Sequence, residues 1–220
     1  MKSADGYAIA TFAAGCFWGV ELAYQREPGV VGTAVGYTQG STEAPSYEQV
    51  CSGTTGHTEA VQVVFDPSSV SYERLCQLLI DRLGENVWRE NQVGNDMGTQ
   101  YRSGIYYTTE PQRALAEAAK GAYEKALAAK GYGPITTEIL AAPTFYYAED
   151  YHQQYLAKPR NRQYCSAMPS GVSLPALAGW APAGQVAPAP QLDDAYWDKN
   201  GPKPGCTIQG PNEQIRPGSW

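Results

Sequence analysis

A short apolar run, Tyr7 to Phe12, leads through Gly15-Cys16-Phe17-Trp18-Gly19 into Phe17, Val20 and Tyr24 at helical spacing. This junction constrains the fold more than any other segment, because a strand turning directly into a helix calls for stacked layers of sheet and helix. It also sets one thiol, Cys16, at the helix start, between glycines and ahead of two large aromatics. Unpaired N–H groups and the positive end of the helix dipole gather there, and both favour a thiolate. Such placement is expected to lower a cysteine pKa from ~8.5 into roughly the 3.5–7.5 range. Phe17 and Trp18 offer an apolar wall beside that nucleophile, suited to a substrate with a small apolar group next to an electrophilic centre. A free cysteine is more often a buried packing residue. The flanking glycines, the aromatic pair and the motifs downstream separate Cys16 from that ordinary case.

Further elements follow from periodicity. Val31, Thr33, Val35 and Tyr37 fall on one side of a strand over 30–37, and a second strand runs from Ala60 to Phe65, stopped by Asp66-Pro67. Tyr72, Leu75, Leu79 and Leu83 mark an amphipathic helix ended by Gly84. Ile105 to Thr108 is a short strand. Thr109-Glu110-Pro111-Gln112 reads as a capping box with proline near the first turn, opening an Ala-rich helix that ends at Gly131. Ile135 to Leu140 is a further strand and Glu149 to Leu156 a short helix. The fold class expected is an α+β or α/β layer design, a mixed sheet with flanking helices. Residues 171–220 carry eight of the sixteen prolines and no helical period. The expected organisation is a catalytic domain over 1–170 and an extended Pro-rich tail over 171–220. The aromatics of the tail (Trp180, Tyr196, Trp197, Trp220) favour its wrapping on the domain.

Charge narrows the function. Lys and Arg number 16 and Asp and Glu 22, a net charge of −6 over 220 residues. No stretch is basic enough to follow a phosphate backbone, so nucleic acid is not an expected partner. No apolar run approaches ~18 residues, and residues 1–6 are neither a signal peptide nor an Arg-rich transit peptide. The expectation is a monomer without membrane contact, in the cytoplasm, or in an organelle if a targeting peptide has been trimmed. The five cysteines (Cys16, Cys51, Cys76, Cys165, Cys206) form no CxxC pair, and His57 and His152 are the only histidines. No metal site and no bound cofactor are expected, and thiols kept reduced fit best.

Two more constellations carry polar chemistry. In Gly53-Thr54-Thr55-Gly56-His57-Thr58-Glu59-Ala60-Val61, Glu59 falls at the mouth of an apolar strand. A carboxyl held there partly desolvated has a raised pKa and is ready to donate a proton. The plain alternative is a solvated strand-end glutamate, with His57 packing the loop. The polar loop Gly94-Asn95-Asp96-Met97-Gly98-Thr99-Gln100-Tyr101-Arg102-Ser103 suits a site rim. Tyr47 adds a second phenol, although any one of 16 tyrosines is more often structural.

GCFWG, followed by GYTQG, YEQVCSGTTGHTEAV, NDMGTQYRSGIY and EDYHQQYL, closely resembles peptide methionine-S-sulfoxide reductase of the A type, from about Tyr7 to about Pro175. The resemblance implies a plait-like α/β fold with a long irregular C-terminal tail. It implies that Cys16 attacks the sulfoxide sulfur and that Phe17 and Trp18 hold the substrate methyl group. Glu59 then assists protonation of the sulfoxide oxygen, Tyr47 and Tyr101 hydrogen-bond it, and Asp96 binds the substrate main chain. His152 matches a supporting histidine. Cys165 stands where the family carries its resolving cysteine, so the Cys16 sulfenic acid is expected to pass into a Cys16–Cys165 disulfide reduced by thioredoxin or another dithiol. Many members carry a second recycling cysteine near a GV-x-LP sequence. Here that position is Ser173, and Cys206 is the candidate substitute. Cys76 reads as core, and Cys51 has no implied role. Two rivals remain at this level: a cysteine hydrolase or acyl transferase using Cys16, His152 and an acid, and a non-catalytic aromatic cage for a methylated ligand.

Overall fold

The computed structural model describes residues 6–158, 161, 162 and 164. The Pro-rich tail over 171–220, Cys165, Ser173 and Cys206 lie outside the described residues.

In chain order the elements are β1 (Ala8–Ala14), α1 (Phe17–Gln25), β2 (Val30–Thr38), α2 (Tyr47–Cys51), β3 (Thr58–Phe65) and α3 (Tyr72–Leu83). They continue with β4 (Gln92–Val93), β5 (Asp96–Met97), β6 (Ser103–Tyr107), α4 (Glu110–Ala128), β7 (Glu138–Ala141) and β8 (Tyr146–Tyr147). Among the described residues six strands form one sheet in the order β7-β6-β1-β3-β2-β8, and β4 and β5 form a separate hairpin. β3 runs antiparallel to both β1 and β2, so β1 and β2 share a direction and α1 is the crossover between them. β6 is antiparallel to β1 and parallel to β7, with α4 as its crossover. This is the mixed sheet with flanking helices expected from the sequence.

Strand alternation explains the core. Ala10, Phe12 and Ala14 of β1 and Val61, Val63 and Phe65 of β3 join one apolar cluster with Phe17, Tyr24, Leu75, Leu79, Leu115 and Tyr123. The intervening Ala13 and Ala60 belong to a second, smaller cluster with Tyr106, packed by Ala142 and Phe145. Glu59 is two residues before Val61, so the two-residue pleat puts it on the helix-covered face.

The helix ends are chemically specified. Thr109 caps α4 by accepting from the Gln112 N–H, but the Gln112 amide oxygen accepts from the N–H and hydroxyl of Thr108 instead of closing a capping box on Thr109. Ser71 caps α3, and Gly84 ends it with φ 52°. The helix α2 is opened by a full capping box between Ser46 and Gln49; the S-x-x-Q spacing announces it in the sequence.

The segment 149–156 is not an α-helix. It runs through turns into a 3₁₀ turn at Tyr155–Ala157, with Gln154 left-handed at φ 53°. The Gln153 side chain accepts from Val35 N–H and donates to Val35 O, occupying the edge of β2 as a further strand would. The Gln154 N–H donates to the Glu21 carboxylate. These partners, more than a hundred residues away in sequence, tie the segment to β2 and α1.

Candidate active site

Cys16 is the residue immediately before α1, with φ −52° and ψ 119°, and is 9% exposed. Gly15 makes the turn. Its φ is 78°, and a Cβ there would meet Val93 Cβ at 2.6 Å, so only glycine permits both the left-handed backbone and the approach of β4. Val93 pairs with Asp96 across the β4–β5 hairpin. The hairpin is fixed to the end of α3 by Asn86, whose Oδ1 accepts from Gly94 N–H at 2.8 Å. The packing that demands Gly15 thereby carries Asp96 to the thiol.

Glu59 is 1% exposed, and its Oε2 accepts from the Phe17 N–H at 3.0 Å. Burial pushes its carboxyl up to about 8; the Phe17 bond opposes this and the Asp96 charge adds to it. Glu59 is therefore largely neutral at pH 7, unlike a solvated strand-end glutamate. Thr58, its neighbour, donates to Gln100 O and Arg102 O. That tie holds the 3₁₀ turn Thr99–Tyr101 beside Glu59. Arg102 reinforces it through Gly56 O, Thr99 O and the Glu138 carboxylate.

Cys16, Phe17, Trp18, Tyr47, Glu59, Asp96 and Tyr101 line one cavity of about 350 Å³. The structure thus brings together these seven sequence candidates. It adds Tyr155, Arg162 and Tyr164 to the wall. Tyr155 stacks on Trp18 with ring centroids 3.8 Å apart, and Tyr164 donates to Asp96 Oδ1 at 2.7 Å. The residue before Cys165 therefore reaches the cavity, and the sequence carries no local signal for it beyond the aromatic itself. Cys51 is exposed, and Tyr47 hydrogen-bonds its side chain. Cys76 is fully buried in the core.

One expectation is corrected. The thiol does stand at a helix start, but its pKa is raised, not lowered. Burial is the largest cause and the Glu59 charge the next; the Trp18 N–H and Arg82 favour the thiolate without offsetting them. Loss of hydration outweighs the dipole of one short helix.

The histidines are explained. His57 is a packing residue: Nδ1 accepts from Gly40 N–H, so Nε2 donates to Thr42 O at 2.7 Å. His152 Nδ1 accepts from Trp18 Nε1 at 3.0 Å, and its ring lies against Phe17, Tyr47 and Tyr151. Neither nitrogen of His152 hydrogen-bonds Cys16, which removes the hydrolase relay. Glu149, which the sequence did not single out, accepts from Tyr47 N–H and Tyr37 Oη and so fixes the start of α2.

A buried thiol and a buried carboxyl of raised pKa share one aromatic cavity, with no histidine hydrogen-bonded to the thiol among the described residues, an arrangement that fits a thiol-dependent oxidoreductase. The family model for peptide methionine sulfoxide reductase matches residues 8–174, and the chain belongs to that family. It is 54% identical over 177 residues to the peptide methionine sulfoxide reductase MsrA of Azorhizobium caulinodans, covering 80% of each chain. It is 52% identical over 171 residues to MsrA 2 of Nostoc, covering 78% of this chain and 76% of that one. Methionine sulfoxide reductase A of Corynebacterium diphtheriae superposes with a TM-score of 0.69 at 39% identity, over 75% of this chain and 80% of that one. The reaction of the family is the thiol-dependent reduction of methionine sulfoxide to methionine. Among the described residues no helix is long and apolar enough to cross a membrane.

Proposed function

We propose that this chain reduces the S epimer of methionine sulfoxide, free or within peptides, with Cys16 as nucleophile and Glu59 as proton donor. The observation that carries the assignment is the buried Glu59 carboxyl, neutral near pH 7 and bonded to the first residue of the helix that follows Cys16. A sulfoxide sulfur is a poor electrophile until its oxygen is protonated or strongly hydrogen-bonded, and a positioned acid is worth roughly 10²–10⁴-fold.

In this reading the substrate methyl group lies against Phe17 and Trp18, and Asp96 accepts from the substrate main-chain N–H. Tyr47 and Tyr101 hydrogen-bond the sulfoxide oxygen; Tyr47 turns to it from Cys51. Burial also holds both phenols well above the ordinary tyrosine pKa, so they remain donors throughout. Cys16 Sγ attacks the substrate sulfur while Glu59 gives its proton to the oxygen. The substrate S–O bond breaks, the oxygen ends on Cys16 as a sulfenic acid, and methionine leaves. The substrate sulfur gains two electrons and the Cys16 sulfur loses two. The proton lost by the Cys16 thiol restores Glu59.

Cys165 then attacks the sulfenic sulfur, water leaves, and a Cys16–Cys165 disulfide forms. A dithiol such as thioredoxin reduces it. This assignment is supported by the place of Cys165 next to Tyr164, which lines the cavity.

The test uses reduced protein and a peptide carrying both sulfoxide epimers. The S epimer should be consumed and the R epimer left, with Cys16 oxidised. Cys16→Ser should fold and release no methionine with dithiothreitol present. Appreciable turnover by that variant, or equal use of both epimers, overturns the proposal.

A further inference from the structure

Arg82 lies in the last turn of α3 and is 1% exposed, the largest of the fully buried side chains among the described residues. Its Nη1 donates to Ala14 O at 2.6 Å. Ala14 ends β1, two residues before Cys16. Nε and Nη2 are buried without a hydrogen-bond partner, and no described carboxylate forms an ion pair with the group. A buried cation left in this way is costly, and an apolar side chain would complete the helix face without that cost.

The groups around the thiol give the cation a use. Glu59 of β3, Asp96 of β5, Tyr47 of α2, Tyr101 of the following 3₁₀ turn, Tyr164 and a second cation, Arg162, share the cavity with Cys16. Glu59 and Asp96 oppose a thiolate, whereas Arg82 and the Trp18 N–H favour it. Burial brings the Arg82 guanidinium down to about 10; of the acidic groups that oppose this and favour its charged form, Cys16 is foremost, ahead of Tyr24, Asp96 and Tyr164. Tyr24 is already engaged with Leu75 O.

We propose that Arg82 is a positioning residue that supplies the fixed counter-charge for the Cys16 thiolate. It anchors the end of β1 through Ala14 O, two residues before the nucleophile, and brings there a guanidinium with no ion-pair partner among the described residues. The buried thiol ionises against a charge that is already desolvated, so no solvent has to reorganise when the anion forms. The inference rests on Cys16 being the nucleophile.

The experiment follows alkylation of Cys16 by iodoacetamide across pH, read by the mass of its own peptide to separate it from Cys51 and Cys76. Arg82→Gln keeps a donor for Ala14 O but removes the charge. Its alkylation midpoint should rise by roughly one pH unit, making Cys16 about tenfold less reactive at a fixed pH below both midpoints. Arg82→Lys should restore most of the wild-type profile. An unchanged midpoint in Arg82→Gln, or equal shifts in both variants, reduces Arg82 to a structural staple and overturns the proposal.

A measurement on the wild-type fold guards against a variant that does not fold. The guanidinium carbon NMR signal of Arg82 should move with the Cys16 titration and stay still in Cys16→Ser; identical behaviour in the two overturns the pairing. If the pairing is seen but the wild type releases no methionine, the enzymatic reading fails and the counter-charge stands.

Discussion

The Phe17 N–H donates to Glu59 Oε2 at 3.0 Å across 42 residues of sequence. The same backbone turn that sets Cys16 at the start of α1 therefore also holds the carboxyl.

The first prediction concerns the proton. With the Glu59 carboxyl raised to about 8, the rate of sulfenic acid formation should fall as pH rises through about 8, where the proton is lost. Glu59→Gln should slow that step by roughly 10²-fold or more and abolish the high-pH decline. Rapid-mixing single turnovers measure both. A rate equal to wild type from about pH 6 to 9 removes Glu59 from the mechanism.

The same shift has a consequence for stability. An unfolded glutamate titrates near ~4.3, and the folded one near about 8. Glu59 binds its proton more tightly in the folded state. Its stabilising contribution is full below ~4.3 and is lost as pH rises to about 8. Urea unfolding should show Glu59→Gln gaining on wild type through that window, by on the order of a few kcal/mol, with a flat difference above it. Glu21, also raised to about 7 chiefly by burial, is present in both proteins and cancels. A difference independent of pH contradicts the assignment.

The indole of Trp18 should be set by His152. His152→Phe leaves Trp18 Nε1–H without its 3.0 Å acceptor, at a cost of about 1–3 kcal/mol. The KM for a methionine sulfoxide peptide should rise about tenfold, with kcat changed less. In Trp18→Phe, which has no donor to orphan, the added His152→Phe change should do little more. Additive losses in the double variant argue against the pairing.

The thiol relay can be counted. Without reductant, two methionines released per chain mean that Cys206 accepts the disulfide from Cys165, and one means that Cys165 works alone. The roughly forty residues between them do not forbid exchange, because closing a loop twice as long costs only about 0.6 kcal/mol more. Cys206→Ser should lower the count from two to one and slow thioredoxin-driven turnover, leaving the first step unchanged. A variant equal to wild type in both assays makes Cys206 a bystander.

The candidate site is legible in the sequence where it is written in short-range pattern. Gly15 marks the turn below Cys16, the alternation Glu59, Val61, Val63 puts the carboxyl on the covered face, and Gly84 ends α3 on schedule. The 149–156 segment has helical apolar spacing yet forms no α-helix, because the Gln153 side chain pairs with the Val35 backbone and the Gln154 N–H goes to the Glu21 carboxylate. β8 is two residues long and exists only because β2 offers an edge. The β4–β5 hairpin is equally short.

Sequence alone marked the candidate residues and the strand or helix end that presents each of them, since caps, turns and pleats are decided by near neighbours. Tertiary structure alone decided their ionisation and their company. The Cys16 thiol is driven upward although a helix start favours its anion, because desolvation sums over every element packed above it. Tyr155 and Tyr164 reach the wall, and Arg82 lies fully buried against the end of β1, because distant segments converge there. Those contacts join residues 68 to more than 100 positions apart, a distance over which local pattern carries no instruction.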